Sequence, residues 1–251
     1  MPALRILLLG GTSEASALAR LLAGDARFAP TLSLAGRTRT PALPPIAHRI
    51  GGFGGPEGLA DYLRVTDTDA IIDATHPFAT RISANAAIAA QKTGVPLVRL
   101  TRPPWEPQQG DIWIPVDDMS RAAIALGPMP QRVLLTVGRQ ELAPFRAAPQ
   151  HHYLIRSVDA PGMTELPARA DVITARGPFA EADEIALMRE RRIEVLVTKN
   201  SGAAATAAKL SAARRLGIPV VMIERPPEPV CGRTIIVHTP ESARAWLARG
   251  V

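Results

Sequence analysis

Leu4-Arg-Ile-Leu-Leu-Leu-Gly-Gly-Thr-Ser-Glu14 joins an apolar run to a glycine pair and two hydroxyl side chains. The apolar run predicts a buried strand, and Gly10-Gly11 permits a tight turn after it. Thr12 or Ser13 can cap the Ala-rich helix that follows, which leaves backbone N–H groups and the positive helix end for an anion. The stretch lacks the Gly-x-Gly-x-x-Gly spacing, so both phosphate binding and an ordinary strand–helix turn fit it.

The same alternation of apolar runs and Ala-rich amphipathic segments continues along the chain. We predict strands at Arg5–Leu9, Thr31–Ala35, Ala70–Asp73, Pro96–Leu100, Ile112–Val116, Arg132–Val137, Tyr153–Val158, Asp171–Ala175, Glu194–Thr198, Pro219–Ile223 and Thr234–His238. We predict helices at Ser13–Ala23, Arg81–Thr93, Ala180–Arg191, Ala203–Leu216 and Pro240–Arg249, with a short helix after Gly51–Gly55. Alternating strands and helices are typical of parallel sheets with right-handed crossovers, so the fold class is α/β.

Stretches of the first half of the chain recur in the second half, in the same order. The similar pairs are Gly94–Pro104 with Gly217–Pro227, Ile112–Ala122 with Ile235–Ala245, and Leu4–Glu14 with Gln131–Glu141. Repeated elements in a fixed order indicate an internal duplication. We therefore predict two similar Rossmann-like domains with mainly parallel sheets, at residues 1–128 and 129–251, with the ligand cleft between them.

Composition argues against several classes of protein. The formal net charge is +6, but the arginines are dispersed and form no basic stripe with interleaved aromatics, which argues against nucleic-acid binding. No apolar run approaches a membrane span, and the apolar start runs straight into a glycine turn, so we expect a cytoplasmic protein. Cys231 is the single cysteine, which excludes a disulfide within one chain. His151-His152 lacks spaced metal-binding companions, so we predict a surface pair and no metal site.

Candidate binding residues follow the predicted strands of the first half, where open α/β sheets bind ligands. Arg37 and Arg39 follow the second strand, where an acidic residue would suit NAD and two arginines suit the 2′-phosphate of NADP. A solvated basic turn is the alternative for this pair. Asp73-Ala-Thr-His76 places a carboxylate, a hydroxyl and an imidazole after a buried strand, which makes Thr75 and His76 candidate site residues. A lone histidine is more often structural, but this position favours a functional one.

The second half has polar side chains after its strands as well. Arg139 follows the first of these strands, and Lys199-Asn-Ser-Gly202 follows another. Lys199 is one of only three lysines in the chain, and its loop is built like an anion nest. The alternative is that Lys199 covers the start of a helix. We favour ligand contact for Arg139, Lys199, Asn200 and Ser201.

Five motifs are distributed over nearly the whole chain: Gly10–Ala15, Asp73–Ala79, Arg102–Trp105, Thr136–Gly138 and Thr198–Gly202. Together they resemble the precorrin-6A reductase family of cobalamin biosynthesis. The Asp-Ala-Thr-His-Pro-Phe run starting at Asp73 is the most specific of them. Ala203-Ala-Ala205 departs from the pattern, because many members of the family have another glycine there.

The resemblance implies an oxidoreductase that uses NADPH to reduce one C=C bond of precorrin-6A, giving precorrin-6B. The residues it places on the cofactor side are Gly11, Thr12, Ser13, Arg37, Thr75 and His76. Those it places against the substrate or the cofactor phosphates are Arg139, Lys199, Asn200 and Ser201. The proton donor stays open between His76, Lys199 and solvent.

NADPH is then the cofactor and an anionic tetrapyrrole the small-molecule partner, with neighbouring pathway enzymes as further candidate partners. No nucleic-acid or membrane partner is expected. Two other functions also fit paired Rossmann-like halves: a nucleotide-sugar-type transferase, and a non-catalytic NADPH or tetrapyrrole sensor. The polar strand ends favour an enzyme over a sensor. Whether the substrate carries cobalt stays open at this point.

Overall fold

The computed structural model describes residues 2–36, 43–228 and 234–249. It divides into two compact units. Unit 1 contains residues 1–103 and 226–251, and unit 2 contains residues 104–225. Each unit has a six-stranded sheet in which every paired strand is parallel to its neighbours, as predicted for an α/β fold.

Unit 1 has its strands in the order β12-β5-β4-β1-β2-β3. The strands are β1 (Leu4–Leu9), β2 (Phe28–Leu34), β3 (Ala47–Ile50), β4 (Ala70–Asp73), β5 (Leu97–Leu100) and β12 (Ile235–Val237). The helices are α1 (Ser13–Leu22), α2 (Pro56–Val65), α3 (Thr80–Thr93) and α7 (Pro240–Ala248). Side chains alternate along β1, so Ile6 and Leu8 join the core under α1 and α7, while Leu7 and Leu9 join the core under α2 and α3. The sheet is therefore covered by helices on both faces.

Unit 2 repeats this arrangement with the strand order β6-β11-β10-β7-β8-β9. The strands are β6 (Trp113–Val116), β7 (Arg132–Leu135), β8 (His152–Ser157), β9 (Ala170–Thr174), β10 (Val195–Lys199) and β11 (Val220–Ile223). The helices are α4 (Met119–Ala125), α5 (Glu181–Glu190) and α6 (Ala208–Leu216), with short 3-10 turns at Arg139–Glu141, Ala143–Ala147, Met163–Glu165 and Ala204–Thr206. Strand by strand, β7 to β11 of this sheet correspond to β1 to β5 of the other. The internal repeat predicted from the sequence is thus present in the fold.

The last strand of each sheet comes from the opposite half of the chain. β6 pairs with β11, and β12 pairs with β5. The predicted division at residues 128 and 129 therefore does not match the units, because it assigns β6 and β12 each to the wrong sheet. The two strands follow the equivalent strands β5 and β11 and have similar sequence patterns, so the local sequence does not show which sheet each of them joins.

Some elements differ from the sequence-based prediction. β3 was not predicted, because this edge strand is mostly exposed and lacks an apolar alternation. α4 was missed as well; it is short and begins after Asp118, whose side chain accepts from the Arg121 N–H at 2.8 Å. The helix predicted from Ala203 begins at Ala208. The preceding backbone is used elsewhere, since Ala205 O accepts from Phe179 N at 3.2 Å.

The predicted surface pair His151-His152 is half wrong. His151 is fully buried and its ring lies 5.9 Å from that of Tyr153, and burial lowers its pKa. His152 is partly exposed, with Nε2 3.2 Å from Asp171 Oδ2. Within the described ranges, no group of three or more potential metal-ligating side chains forms a metal site. None of the described helices has the length and apolarity to cross a membrane.

Candidate active site

Three strand ends of unit 1 meet at one edge of its sheet. β4 lies between β1 and β5, so the residues after these strands come together. A small pocket is lined by all three loops: Thr12 and Glu14 after β1, Thr75 and Pro77 after β4, and Leu100, Thr101 and Arg102 at β5. This is the edge at which doubly wound sheets bind ligands. Thr12 and Thr75, predicted separately from the sequence, thus line the same pocket.

Thr12 links the first loop to the second. Its Oγ1 accepts from the Ala15 N–H at 3.1 Å, which caps α1, and donates to the Ala74 carbonyl at 2.7 Å. Gly11 has φ +119°, a conformation that favours glycine. A Cβ on Gly10 would lie 2.5 Å from Leu32 Cδ1, so a larger residue there would require the Leu32 side chain to move. Ser13 donates its hydroxyl to Glu14 at 3.1 Å. The helix N-terminus is therefore held rigidly beside the pocket.

A buried carboxylate fixes the second loop. Asp73 Oδ1 accepts from the Thr75 N–H at 3.0 Å and from the Thr75 hydroxyl at 2.6 Å. Its other oxygen accepts from Arg99 Nη1 at 2.8 Å, and both side chains of this ion pair are almost completely buried. Arg99 Nε also lies 2.5 Å from Glu228 Oε2. Asp73 is thus occupied in holding Thr75 and Arg99, and it positions the loop that carries His76.

His76 is half-buried and has a defined orientation. Its Nδ1 accepts from the Phe78 N–H at 3.2 Å, and the two rings lie 5.7 Å apart. This hydrogen bond assigns the proton of the neutral imidazole to Nε2. The hydrogen bond therefore fixes the orientation of the ring within the loop after β4.

Two residues at this edge were not assigned a role from the sequence. Arg102 forms an ion pair with Glu14, and both side chains are largely buried. Thr101 is 7% exposed, and its Oγ1 makes no hydrogen bond within the described part of the chain. A buried hydroxyl without a protein partner is usually satisfied by a water, an ion or a ligand atom. Both residues follow β5, so their position directly after a predicted strand could have indicated that they belong to the site. Arg37 and Arg39 lie outside the described residues.

The predicted residues of unit 2 lie after the adjacent strands β7 and β10. Arg139 opens the 3-10 turn Arg139–Glu141, after Gly138 with φ +93°. Lys199 ends β10, and its Nζ lies 3.8 Å from Glu141 Oε1. The structure therefore brings Arg139 and Lys199 to the same edge of this sheet.

Asn200 and Ser201 are engaged by the protein backbone. The Asn200 amide accepts from the Trp105 N–H at 2.7 Å and donates to the Trp105 carbonyl at 3.0 Å. The Ser201 hydroxyl accepts from the Ala203 N–H at 3.4 Å. Arg225 donates to the carbonyls of both residues, at 2.8 and 3.0 Å. Asn200 thus fixes Trp105, and ligand contact by either residue stays a prediction.

Sequence comparisons give the following similarities. The family model "Precorrin-6x reductase CbiJ/CobK" matches residues 5–248. A precorrin-6A reductase of Sinorhizobium sp is 56% identical over 223 residues, which cover 88% of this chain and 85% of the relative. One of Rhodococcus erythropolis is 52% identical over 243 residues, which cover 97% of both chains.

A comparison with solved structures agrees. The structure "CobK precorrin-6A reductase" matches this chain with a TM-score of 0.90 at 49% identity, covering 98% of this chain and 96% of the other. These similarities extend over both units and agree with the resemblance carried by the sequence motifs.

Proposed function

The chain belongs to the precorrin-6x reductase family, and we propose that it uses NADPH to reduce one C=C bond of precorrin-6A, giving precorrin-6B in cobalamin biosynthesis. The observation that carries the proposal is the match over residues 5–248, within which the most specific motif, starting at Asp73, lies beside the pocket of unit 1. The reaction consumes one NADPH and one proton. Hydride adds to one carbon of the double bond and the proton to its neighbour.

Unit 1 is the proposed site of NADPH. Its strand order, with β1 central and β4 and β5 beside it, places the α1 N-terminus at the position where doubly wound folds bind a pyrophosphate. Gly11, Thr12 and Ser13 are the proposed phosphate contacts, and Thr75 and His76 the contacts farther along the cofactor. The unpartnered Thr101 hydroxyl fits a polar ligand atom at the same edge. NADPH supplies the hydride when bound.

The proposed role of Arg37 and Arg39 is to select NADPH by binding its 2′-phosphate. We expect the variant with both arginines changed to Ser to bind NADPH far more weakly than the wild type does, with a much smaller effect on NADH, because only NADPH has this phosphate. The matched control changes two exposed arginines of the same unit, Arg20→Ser and Arg64→Ser. Affinities are measured by equilibrium binding. If the first variant loses the same factor in affinity for NADPH and for NADH, these arginines do not bind the 2′-phosphate.

Unit 2 is the proposed site of the substrate carboxylates. Arg139 and Lys199 are the charged candidates, because a guanidinium or an ammonium forms charge-assisted hydrogen bonds with carboxylates. Asn200 and Ser201 complete the proposed set. His76 and Lys199 are the candidate proton donors. A cytoplasmic location and contact with neighbouring pathway enzymes remain part of the proposal.

The deciding experiment is anaerobic mixing of the protein with NADPH and precorrin-6A. We expect loss of the nicotinamide absorbance with one NADPH oxidised for each precorrin-6A consumed, and a product two hydrogens heavier. NADH under the same conditions is the cofactor control. A folded protein that binds both compounds and oxidises no NADPH would overturn the assignment.

A further inference from the structure

Lys209 is a buried lysine whose side chain makes no hydrogen bond to the described residues. It lies in the first turn of α6 and is 5% exposed. Its only polar or aromatic contact in the described structure is a cation–π contact, with Nζ 5.2 Å from the centre of the Trp105 ring. The indole Nε1 of Trp105 is also buried and has no hydrogen-bond partner among the described residues. Each of these two neighbouring residues therefore has an N–H donor group without an acceptor among the described residues.

The charged groups around Lys209 do not neutralise it. They come from three elements: Arg156 of β8, Glu184 of α5 and Lys199 of β10. Arg156 and Glu184 form a two-bond ion pair with each other, and both are buried. Lys199 has its own carboxylate, Glu141, at 3.8 Å. Lys209 is therefore left without a carboxylate of its own in the part of the chain that the structure describes.

An unpaired ammonium inside a protein is costly, and the group responds by losing its proton. Burial, followed by the charge of Arg156, lowers the pKa of Lys209 to about 7; Glu184 opposes this shift and Lys199 adds to it. Near neutral pH the side chain thus exists in both protonation states. A negative ligand beside it would stabilise the ammonium and raise its pKa again.

We propose that Lys209, with the indole N–H of Trp105, forms an additional anion-binding position in unit 2 that takes up a proton when an oxyanion binds. The assignment rests on the proposed function for its candidate ligands, a carboxylate of precorrin-6A or a phosphate of the cofactor. At pH 8 a group with a pKa near 7 is mostly neutral, so binding would take up about 0.9 proton. The affinity would fall by up to about tenfold for each pH unit above 7.

Isothermal titration calorimetry measures this proton directly. Each ligand, precorrin-6A or NADP⁺, is titrated at pH 8 in two buffers with different ionisation enthalpies. The slope of the binding enthalpy against the buffer enthalpy gives the protons taken up. The proteins are the wild type, Lys209→Met, Lys209→Arg and, as a matched control, Lys92→Met, whose exposed ammonium pairs with Glu57 in unit 1.

For one of the two ligands we expect wild type and Lys92→Met to take up about one proton more than both Lys209 variants. Lys209→Arg should still bind this ligand without taking up the proton, because its guanidinium is already charged. If Lys209→Met does not fold, the comparison is made with Lys209→Arg alone. The ligand that shows the difference identifies the oxyanion as a carboxylate or a phosphate. Equal proton uptake by wild type and the folded Lys209 variants, with both ligands, would overturn the inference.

The inference and the proposed function can fail separately. A wild type that reduces precorrin-6A without Lys209-dependent proton uptake overturns only the inference. A wild type that neither binds nor reduces precorrin-6A, but shows Lys209-dependent uptake with NADP⁺, overturns only the function and supports a phosphate site.

Discussion

Single side chains join separate loops of unit 1 into one site. The Thr12 hydroxyl both caps α1 and donates to the loop after β4, so one residue fixes the helix end against its neighbour. Asp73 does the same between β4 and β5, through Thr75 on one oxygen and Arg99 on the other. Buried polar contacts between loops therefore determine the shape of the site. Leaving one partner of such a contact unpaired is costly.

Asp73→Asn tests the most buried of these contacts. An amide cannot accept from Thr75 and neutralise Arg99 at once, and removing one partner of a buried ion pair typically costs 3–5 kcal/mol. Because Glu228 still lies beside Arg99, we expect a loss near the lower end, about 3 kcal/mol. Urea denaturation measures it, and Asp61→Asn, which breaks an exposed pair with Arg64, is the control expected to cost less than about 1 kcal/mol.

A double-variant cycle with Arg99→Met separates the ion pair from general disruption. We expect the double variant to lose at least about 1 kcal/mol less than the two single losses added together, because it leaves no unpaired buried charge. Additive losses would mean that Asp73 and Arg99 do not stabilise each other.

Lys209→Met should stabilise the protein in a pH-dependent way. The folded-state pKa of Lys209 is lowered to about 7, so its ammonium is fully present, and costs stability, below pH 7. That cost is lost progressively as pH rises from about 7 towards the unfolded pKa of about 10.4. We expect the rise in Tm over wild type to be larger at pH 6 than at pH 9, with Lys92→Met showing no such difference. An equal shift at both pH values would contradict the buried, unpaired ammonium.

At the level of elements, β12 joins the sheet of unit 1 and α7 packs on that sheet, although both come from the second half of the sequence. Leu247 and Ala243 of α7 pack in the core cluster with β1 and β5. Leu247→Ala should weaken that core by about 2–5 kcal/mol. Hydrogen exchange read by peptide should therefore speed up in β1 and β5, not in β11. Leu210→Ala is the control in unit 2 and should speed up exchange in β11. Faster exchange in β11 and not in β1 and β5 after Leu247→Ala would mean that α7 does not pack on the sheet of unit 1.

Most strands and helices could be predicted because their signals are local. The alternation of apolar and polar residues and the capping hydroxyl of Thr12 are both visible within a few positions. The exchange of β6 and β12 could not be predicted, since Ile112–Ala122 and Ile235–Ala245 have similar patterns and neither pattern shows which sheet its strand joins. Arg99 was missed as a partner of Asp73 for a related reason: the two are 26 positions apart and meet only through strand pairing. The burial of Lys209 could not be predicted, because it depends on packing that no local pattern records.

The exchanged strands define what each half of the molecule needs in order to fold. Residues 104–225 contain all six strands of the second sheet and the core built on β7, β10 and β11. Residues 129–251, the domain expected from the sequence repeat, lack β6 and carry β12, whose partner β5 is absent from that piece. A domain with its own core can fold alone. We therefore expect only the 104–225 fragment to unfold cooperatively when urea denaturation is monitored by circular dichroism. The second fragment should expose the unpaired edge of β11 and aggregate. A cooperatively folded 129–251 fragment, together with an unfolded 104–225 fragment, would show that β6 is not needed to complete the second sheet.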